Sequence, residues 1–138
     1  MTKELWINLP VKDVNKSREF FTTLGFTLNP HYGNSAESAS FLVGSKNIVL
    51  MLFAEAAFKN FTQHAIADTK QGTEVLFSID AESRTEVDEL ALQAARAGGV
   101  VFSAPAEHQG WMYGCGFADL DGHRWNVLYM DMSKMPKG

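Results

Sequence analysis

The chain has 138 residues, of which 46% are hydrophobic and 20% charged, and its formal net charge is -4. This length and composition are typical of one globular domain, so we expect a single domain over residues 1–138. No Lys/Arg cluster and no apolar run long enough to cross a bilayer are present, which argues against nucleic acid and membranes as partners.

The first part of the chain, about residues 4–53, has a pattern that predicts a strand, a helix and three more strands. Residues 5–11 alternate, with Trp6 and Asn8 on one face, and Asp13 is a suitable cap for a helix over residues 14–24. Three apolar runs separated by turn residues predict the other strands, at residues 26–32, 38–43 and 48–53. The predicted order of this first module is βαβββ.

The same order returns after a predicted helical connector over residues 54–70, whose helix would cover residues 55–67. Residues 74–80 alternate as a strand, and Ser83 and Glu86 have the spacing of a capping box. The remaining strands are predicted at residues 100–103, 110–117 and 124–130. The second module, about residues 73–131, is therefore βαβββ as well. We expect an α+β fold in which the two modules form curved mixed sheets around a shared concavity.

Two segments resemble signatures of the vicinal oxygen chelate superfamily, which includes glyoxalase I, bleomycin resistance proteins and extradiol dioxygenases. INLPVKDV at residues 7–14 is similar to the start of the first module, and GFADLDGHRW at residues 116–125 is similar to the last hairpin of the second. The resemblance covers about residues 5–131. It implies the glyoxalase/bleomycin resistance/dihydroxybiphenyl dioxygenase fold, and homodimers are common in this superfamily.

The resemblance also implies where a metal would bind. Metal-dependent members carry His, Gln or Glu on the first and fourth strands of each module, and those positions here are Trp6, a residue near Leu50, Glu74 and Asn126. Glu74 alone is a firm ligand type, whereas a catalytic site normally has about three protein ligands. We therefore expect no metal cofactor, and a bound divalent metal is the alternative.

Glu74 is the candidate catalytic residue, as a general base facing inward from an alternating strand. The alternative is an exposed carboxylate at the start of that strand. His108, in the loop over residues 106–110, is a candidate binding group, whereas His123 follows an Asp-Gly turn and is more typical of a structural role.

An aromatic face is predicted to line a ligand pocket, with ordinary core packing as the alternative for each residue. Alternation places Tyr113 and Cys115 together on the strand at residues 110–117, with Phe41 and Phe53 as further possibilities. As the one cysteine, Cys115 can form no intrachain disulfide and is interpreted as a small buried hydrophobic residue. The predicted ligand pocket comprises Trp6, Asn8, His108, Trp111, Tyr113, Cys115 and Asn126.

The leading hypothesis is a cytoplasmic, homodimeric protein that binds a small, partly hydrophobic molecule without the usual metal site, as a sequestering resistance protein would. The cytoplasmic location is expected because no leader-like segment follows Met1. The alternative is a metal-dependent lyase, isomerase or dioxygenase with a relocated site that uses Glu74 with His108 or His123. A third reading is a domain that only binds another protein.

Overall fold

The computed structural model describes residues 1–136, which form two four-stranded sheets and three α-helices. The backbone divides into two compact units, Met1–Asp68 and Thr69–Gly138, each with one sheet. The α+β class and the repeated βαβββ order are thus confirmed, while the shared concavity and the single domain stay predictions. The elements are β1 (Trp6–Val11), α1 (Val14–Thr23), β2 (Thr27–Leu28), β3 (Ser38–Val43), β4 (Ile48–Ala54), α2 (Glu55–Thr62), β5 (Leu76–Asp80), α3 (Arg84–Arg96), β6 (Val100–His108), β7 (Met112–Ala118) and β8 (Arg124–Met130), with a short 3-10 helix at Met132–Lys134.

In the first module, α1 packs on one face of a sheet with strand order β1-β4-β3-β2. The helix begins where the sequence predicts, because the Asp13 carboxylate accepts a hydrogen bond from the Lys16 amide at 3.0 Å. Gly25 follows it with φ +95°, a backbone conformation that other residues rarely adopt. Phe21 of the helix and Phe41 of β3 are fully buried with ring centroids 5.8 Å apart, so aromatic packing joins the helix to the sheet.

The second strand of this module is much shorter than the predicted residues 26–32. The Asn29 side chain ends it, because its Oδ1 accepts from the His31 amide at 3.0 Å and its Nδ2 donates to Ser40 Oγ at 3.1 Å. Such a side-chain turn competes with continued strand pairing. The strand covers Thr27–Leu28, and beyond it the Asn29 amide donates one further bond to the Ser40 carbonyl of β3 at 2.8 Å.

In the second module, α3 packs on a sheet with strand order β5-β8-β7-β6. Ser83 caps α3 as predicted, accepting from the Glu86 amide at 3.1 Å. The Glu86 carboxylate bonds back to the Glu82 amide at 3.3 Å, one residue before the cap. Val87 and Val127 are fully buried, which places the core of this module between α3 and the sheet.

Several other boundaries also differ from the prediction. α2 ends at Thr62 rather than at residue 67, since Gln63 takes a left-handed conformation with φ +56°. The first strand of the second module begins at Leu76, so Glu74 lies in a bend before it. β6 extends to His108 through two register shifts, so this residue ends a strand instead of lying in a loop. Within residues 1–136, no helix is long and apolar enough to cross a membrane.

Candidate functional site

Strand pairing shows which side chains share a face of each sheet. We call the face that packs on α1 or α3 the near face, and the opposite one the far face. In the first sheet, Asn8 pairs with Met51 and Pro10 with Phe53, which places them with Trp6 on the far face. Trp6 is 57% exposed and Asn8 is also exposed. The predicted alternation, with Trp6 and Asn8 on one face, is therefore observed, whereas ligand contact by these residues stays a prediction.

A polar loop covers another part of this far face. Ser40, which pairs with Met51, is fully buried and bonds to Asn29, while Asn34 Oδ1 accepts from the Ser40 amide at 3.0 Å. A Cβ added to Gly33 would lie 2.7 Å from Ser40 Cβ, so the loop approaches the sheet closely. Since these polar groups satisfy one another, we interpret them as structural. The sequence indicates a turn at residues 33–35, but not that this connection lies against the far face of the sheet.

On the far face of the second sheet, Asn126 lies beside Ser78, with 3.5 Å between Nδ2 and Oγ. Arg124, two residues earlier on β8, shares this face, and its guanidinium carbon lies 4.3 Å from the centroid of the Phe102 ring. Phe102 itself lies against Gly116, which pairs with Asn126. Asn126 was predicted, whereas Arg124 and Phe102 were missed. Alternation along β8 could have indicated Arg124, but Phe102 lies at a register shift that the sequence pattern does not reveal.

The predicted aromatic face of β7 lies on the near face and not on the far face. Tyr113 and Cys115 do share a face, but they contact α3. The Tyr113 hydroxyl donates to Asp88 at 2.6 Å, and Cys115 Sγ lies 3.9 Å from the Val87 carbonyl oxygen. The interpretation of these side chains as pocket lining therefore does not fit, because the apolar side of the strand packs against the helix. Phe41 likewise faces α1.

These near-face contacts also shift two pKa values. The hydrogen bond to Asp88 raises the pKa of Tyr113. Burial raises the pKa of the Cys115 thiol to about 11. The thiol is therefore protonated at neutral pH and only 3% exposed, which suits a packing role and not a nucleophilic one.

The two other predicted pocket residues lie at the turn between β6 and β7. His108 is exposed at the end of β6, paired with Met112. Trp111 is partly buried just before β7, and within residues 1–136 its Nε1 has no hydrogen-bond partner. Ligand contact by either residue stays a prediction.

The turn between β7 and β8 is organised by the buried carboxylate of Asp119. Its Oδ1 accepts from the amides of Asp121 and His123, each at 3.0 Å, and its Oδ2 accepts from Trp125 Nε1 at 3.1 Å. Burial raises the pKa of Asp119, and the nearby His123 opposes this shift. The Asp-Leu-Asp-Gly-His segment thus has a clear structural function, in keeping with the interpretation of His123.

Glu74 is exposed in its bend, so the inward-facing strand position expected for a general base is not observed. Leu50 is buried on the near face, opposite Ile7, and the far-face residues of β4 are Val49, Met51 and Phe53.

The four positions that the resemblance assigns to a metal do not provide a suitable ligand set. They offer an indole, an apolar or thioether side chain, the carboxylate of Glu74 and the amide of Asn126. This is fewer than the roughly three good ligands that a catalytic divalent metal requires. Over residues 1–136, no three His, Cys, Asp or Glu side chains lie close enough together to hold a metal. The residues present do not fit the family's metal, and we derive no chemistry from it.

Comparison with known proteins agrees with the fold. Residues 3–36 match the family model for the bleomycin resistance protein-like N-terminal region. A hypothetical protein from S. aureus is 33% identical, with 93% of this chain and 94% of that chain covered and a TM-score of 0.81. A glyoxalase-related enzyme from Fulvimarina pelagi is 18% identical, with 100% and 94% covered and a TM-score of 0.78. No curated protein matches the sequence significantly.

A glyoxalase/bleomycin resistance protein/dioxygenase family enzyme from Burkholderia phytofirmans also has this fold, with 18% identity, 89% and 94% of the chains covered and a TM-score of 0.75. Two βαβββ modules with this strand order define a fold class. The chain has the fold of structures named as glyoxalase/bleomycin resistance protein/dioxygenase family members, and its residues 3–36 are similar to the bleomycin resistance protein-like N-terminal region.

Proposed function

We propose that this protein binds a small, partly hydrophobic molecule at the far faces of its sheets and does so without the usual metal site. The observation that carries the proposal is Trp6, a large apolar side chain that is 57% exposed at a position where metal-dependent relatives have a ligand. An indole cannot coordinate a divalent metal, but it offers a flat apolar surface with one N–H donor.

Each module, taken by itself, has far-face residues that suit such a ligand. Asn8 lies on the same face two residues further along β1 and is exposed. In the second module, Phe102 and Leu76 are exposed apolar side chains near the Ser78–Asn126 pair. Small-molecule sites typically combine apolar surface with a few polar groups that orient the ligand.

The test uses cinnamamide, a flat neutral molecule with an apolar ring and one amide, as the probe. Binding is expected to shift the Trp6 indole N–H signal in proton–nitrogen correlation spectra, and Trp6→Ala is expected to weaken the affinity about tenfold, because truncation removes most of the stacking surface. Titration by NMR or calorimetry measures both effects, and affinity is expected to be unchanged in EDTA.

Leu92→Ala is the matched control, because Leu92 is a similarly exposed apolar residue on α3. This substitution is expected to leave the affinity unchanged. Equal losses in the two variants, or no binding of cinnamamide at millimolar concentration, would contradict the proposal. Metal analysis completes the test. Stoichiometric nickel, zinc, iron or manganese in protein purified without added metal, lost in Glu74→Ala, would favour the metal-dependent enzyme instead.

We further propose a cytoplasmic homodimer. In support, β1 and β5 are edge strands of their own sheets, and apolar residues next to them, Leu5 and Val75, are exposed. Exposed edges with apolar side chains favour association with another chain. Sedimentation velocity at micromolar concentration is expected to show a species of twice the chain mass, and a lone monomer would count against the dimer.

A further inference from the structure

We propose that the far face of the second module, by itself, recognises the carboxylate group of a small molecule, with the Arg124 guanidinium as the anion-binding group and Asn126 and Ser78 as neutral partners. This inference rests on the proposed binding function and specifies the class of molecule bound. It is carried by the arrangement of Arg124 on Phe102.

The Arg124 guanidinium lies over an aromatic ring, a contact that does not use its hydrogen-bond donors. Its guanidinium carbon lies 4.3 Å from the centroid of the Phe102 ring. A stacked guanidinium interacts through its flat face, whereas its N–H groups point outward in the plane of the group. Within residues 1–136, these N–H groups have no ion-pair or hydrogen-bond partner. A planar set of available donors is suited to a carboxylate, which accepts two parallel hydrogen bonds.

The Phe102 ring beneath the guanidinium lies directly against the sheet. A Cβ at position 116 would lie 2.5 Å from the Phe102 ring, so the ring occupies the space that the absence of a side chain at Gly116 leaves. Phe102 falls at a shift in the pairing of β6 with β7. It remains 41% exposed, so it is not fixed in the core. Gly116, Phe102 and Arg124 therefore form a layered stack on the far face, which we call the arginine stack.

Neutral donors lie beside the arginine stack. Arg124 and Asn126 lie two residues apart on β8, so their side chains share one face and their backbones are roughly 7 Å apart. The Asn126–Ser78 hydrogen bond is long, at 3.5 Å, so the amide and the hydroxyl retain capacity to bond a ligand oxygen. Arg124 is the single Lys or Arg in the four strands of this sheet. Asp80, at the end of β5, lies on the same far face. One positive charge with a carboxylate in the same row suits a monoanion better than a dianionic phosphate.

The experiment compares cinnamate with the neutral cinnamamide and uses phenyl phosphate as the phosphate probe. Cinnamate is expected to bind more tightly than both. Arg124→Gln is expected to weaken cinnamate about tenfold, because the charge-assisted pair is lost, and to leave cinnamamide unchanged. Phe102→Leu keeps the charge but removes the platform, so a smaller loss, about threefold, is expected for cinnamate alone.

Arg96→Gln is the matched control, because it removes the same charge from an exposed arginine in the last turn of α3. Equal weakening of cinnamate by Arg124→Gln and Arg96→Gln would show general charge attraction and overturn the proposal. Cinnamamide binding as tight as cinnamate would overturn it while leaving the proposed binding function intact, and tighter binding of phenyl phosphate would replace carboxylate by phosphate. Absence of binding by all three probes would overturn both. Thermal unfolding of each variant confirms that the comparison is made on folded protein.

Discussion

Replacing Asp119 with alanine is expected to destabilise the protein by about 3 kcal/mol, because three donors around one buried carboxylate lose their acceptor together. The donors are the amides of Asp121 and His123 and the indole N–H of Trp125, all within 3.1 Å. Trp125 is buried, so water cannot easily replace the lost bond. Urea unfolding followed by circular dichroism measures the change in the free energy of unfolding.

Asp119→Asn separates the hydrogen bonds from the charge. The amide oxygen can still accept from the two backbone amides at Oδ1, but its NH₂ group would face the Trp125 N–H. We expect a cost well below that of alanine, partly because a neutral amide avoids the cost of burying a charge. A cost equal to that of Asp119→Ala would show that the two backbone bonds contribute little.

The contribution of Asp119 to stability is expected to fall as the pH rises. Burial raises the folded-state pKa of Asp119 above its unfolded value. The contribution of this group to stability is therefore fully present below the unfolded pKa and is lost as the pH rises through the folded pKa. Asparagine does not titrate, so the stability of the Asp119→Asn variant lacks this pH dependence. The difference in the free energy of unfolding between the native protein and this variant is therefore expected to shrink as the pH rises.

The second large effect is expected for Gly114→Ala, at about 2 kcal/mol of lost stability. The added Cβ would lie 2.6 Å from the carbonyl oxygen of Val127 and 2.8 Å from a methyl of Leu128. Because the oxygen belongs to the paired strand β8, the clash is relieved only by moving backbone, which well-packed sheets resist. Urea unfolding measures the loss.

Gly116→Ala is the matched comparison, two residues away on the same face. Its Cβ would meet only the Phe102 ring, and that ring is part-exposed and able to turn away. We expect a cost below about 1 kcal/mol, together with loss of the arginine stack. Adding Phe102→Ala is expected to relieve Gly116→Ala and to leave Gly114→Ala unrelieved. Equal costs for the two alanine variants would contradict this account.

The sequence predicted the elements that depend on local signals. Asp13 and Ser83 cap the helices as expected, since a cap is a contact between residues three apart. The βαβββ order was predicted because alternation, apolar runs and turn residues are local signals as well. Asn29 ends β2 early by a bond to Ser40, eleven residues away, which no local pattern reveals.

The candidate site was only partly predicted. Alternation grouped Tyr113 with Cys115 correctly, but it cannot tell which face of a strand meets the helix. Gly114 and Gly116 of β7 could have indicated which face meets the helix. A face without side chains cannot contribute to the core, so the opposite face, with Tyr113 and Cys115, has to pack on α3. Trp6 and Asn126 were predicted because the family resemblance assigned their positions, whereas Arg124 acquires its significance from Phe102, which lies on a different strand.

The arginine stack also has an evolutionary consequence. Any side chain at position 116 conflicts with the Phe102 ring, and without that ring the guanidinium of Arg124 has no platform. A lineage that changes Gly116 and keeps Phe102 therefore displaces the ring, and Arg124 is then released from its constraint. The three positions are expected to be inherited, or lost, as a set.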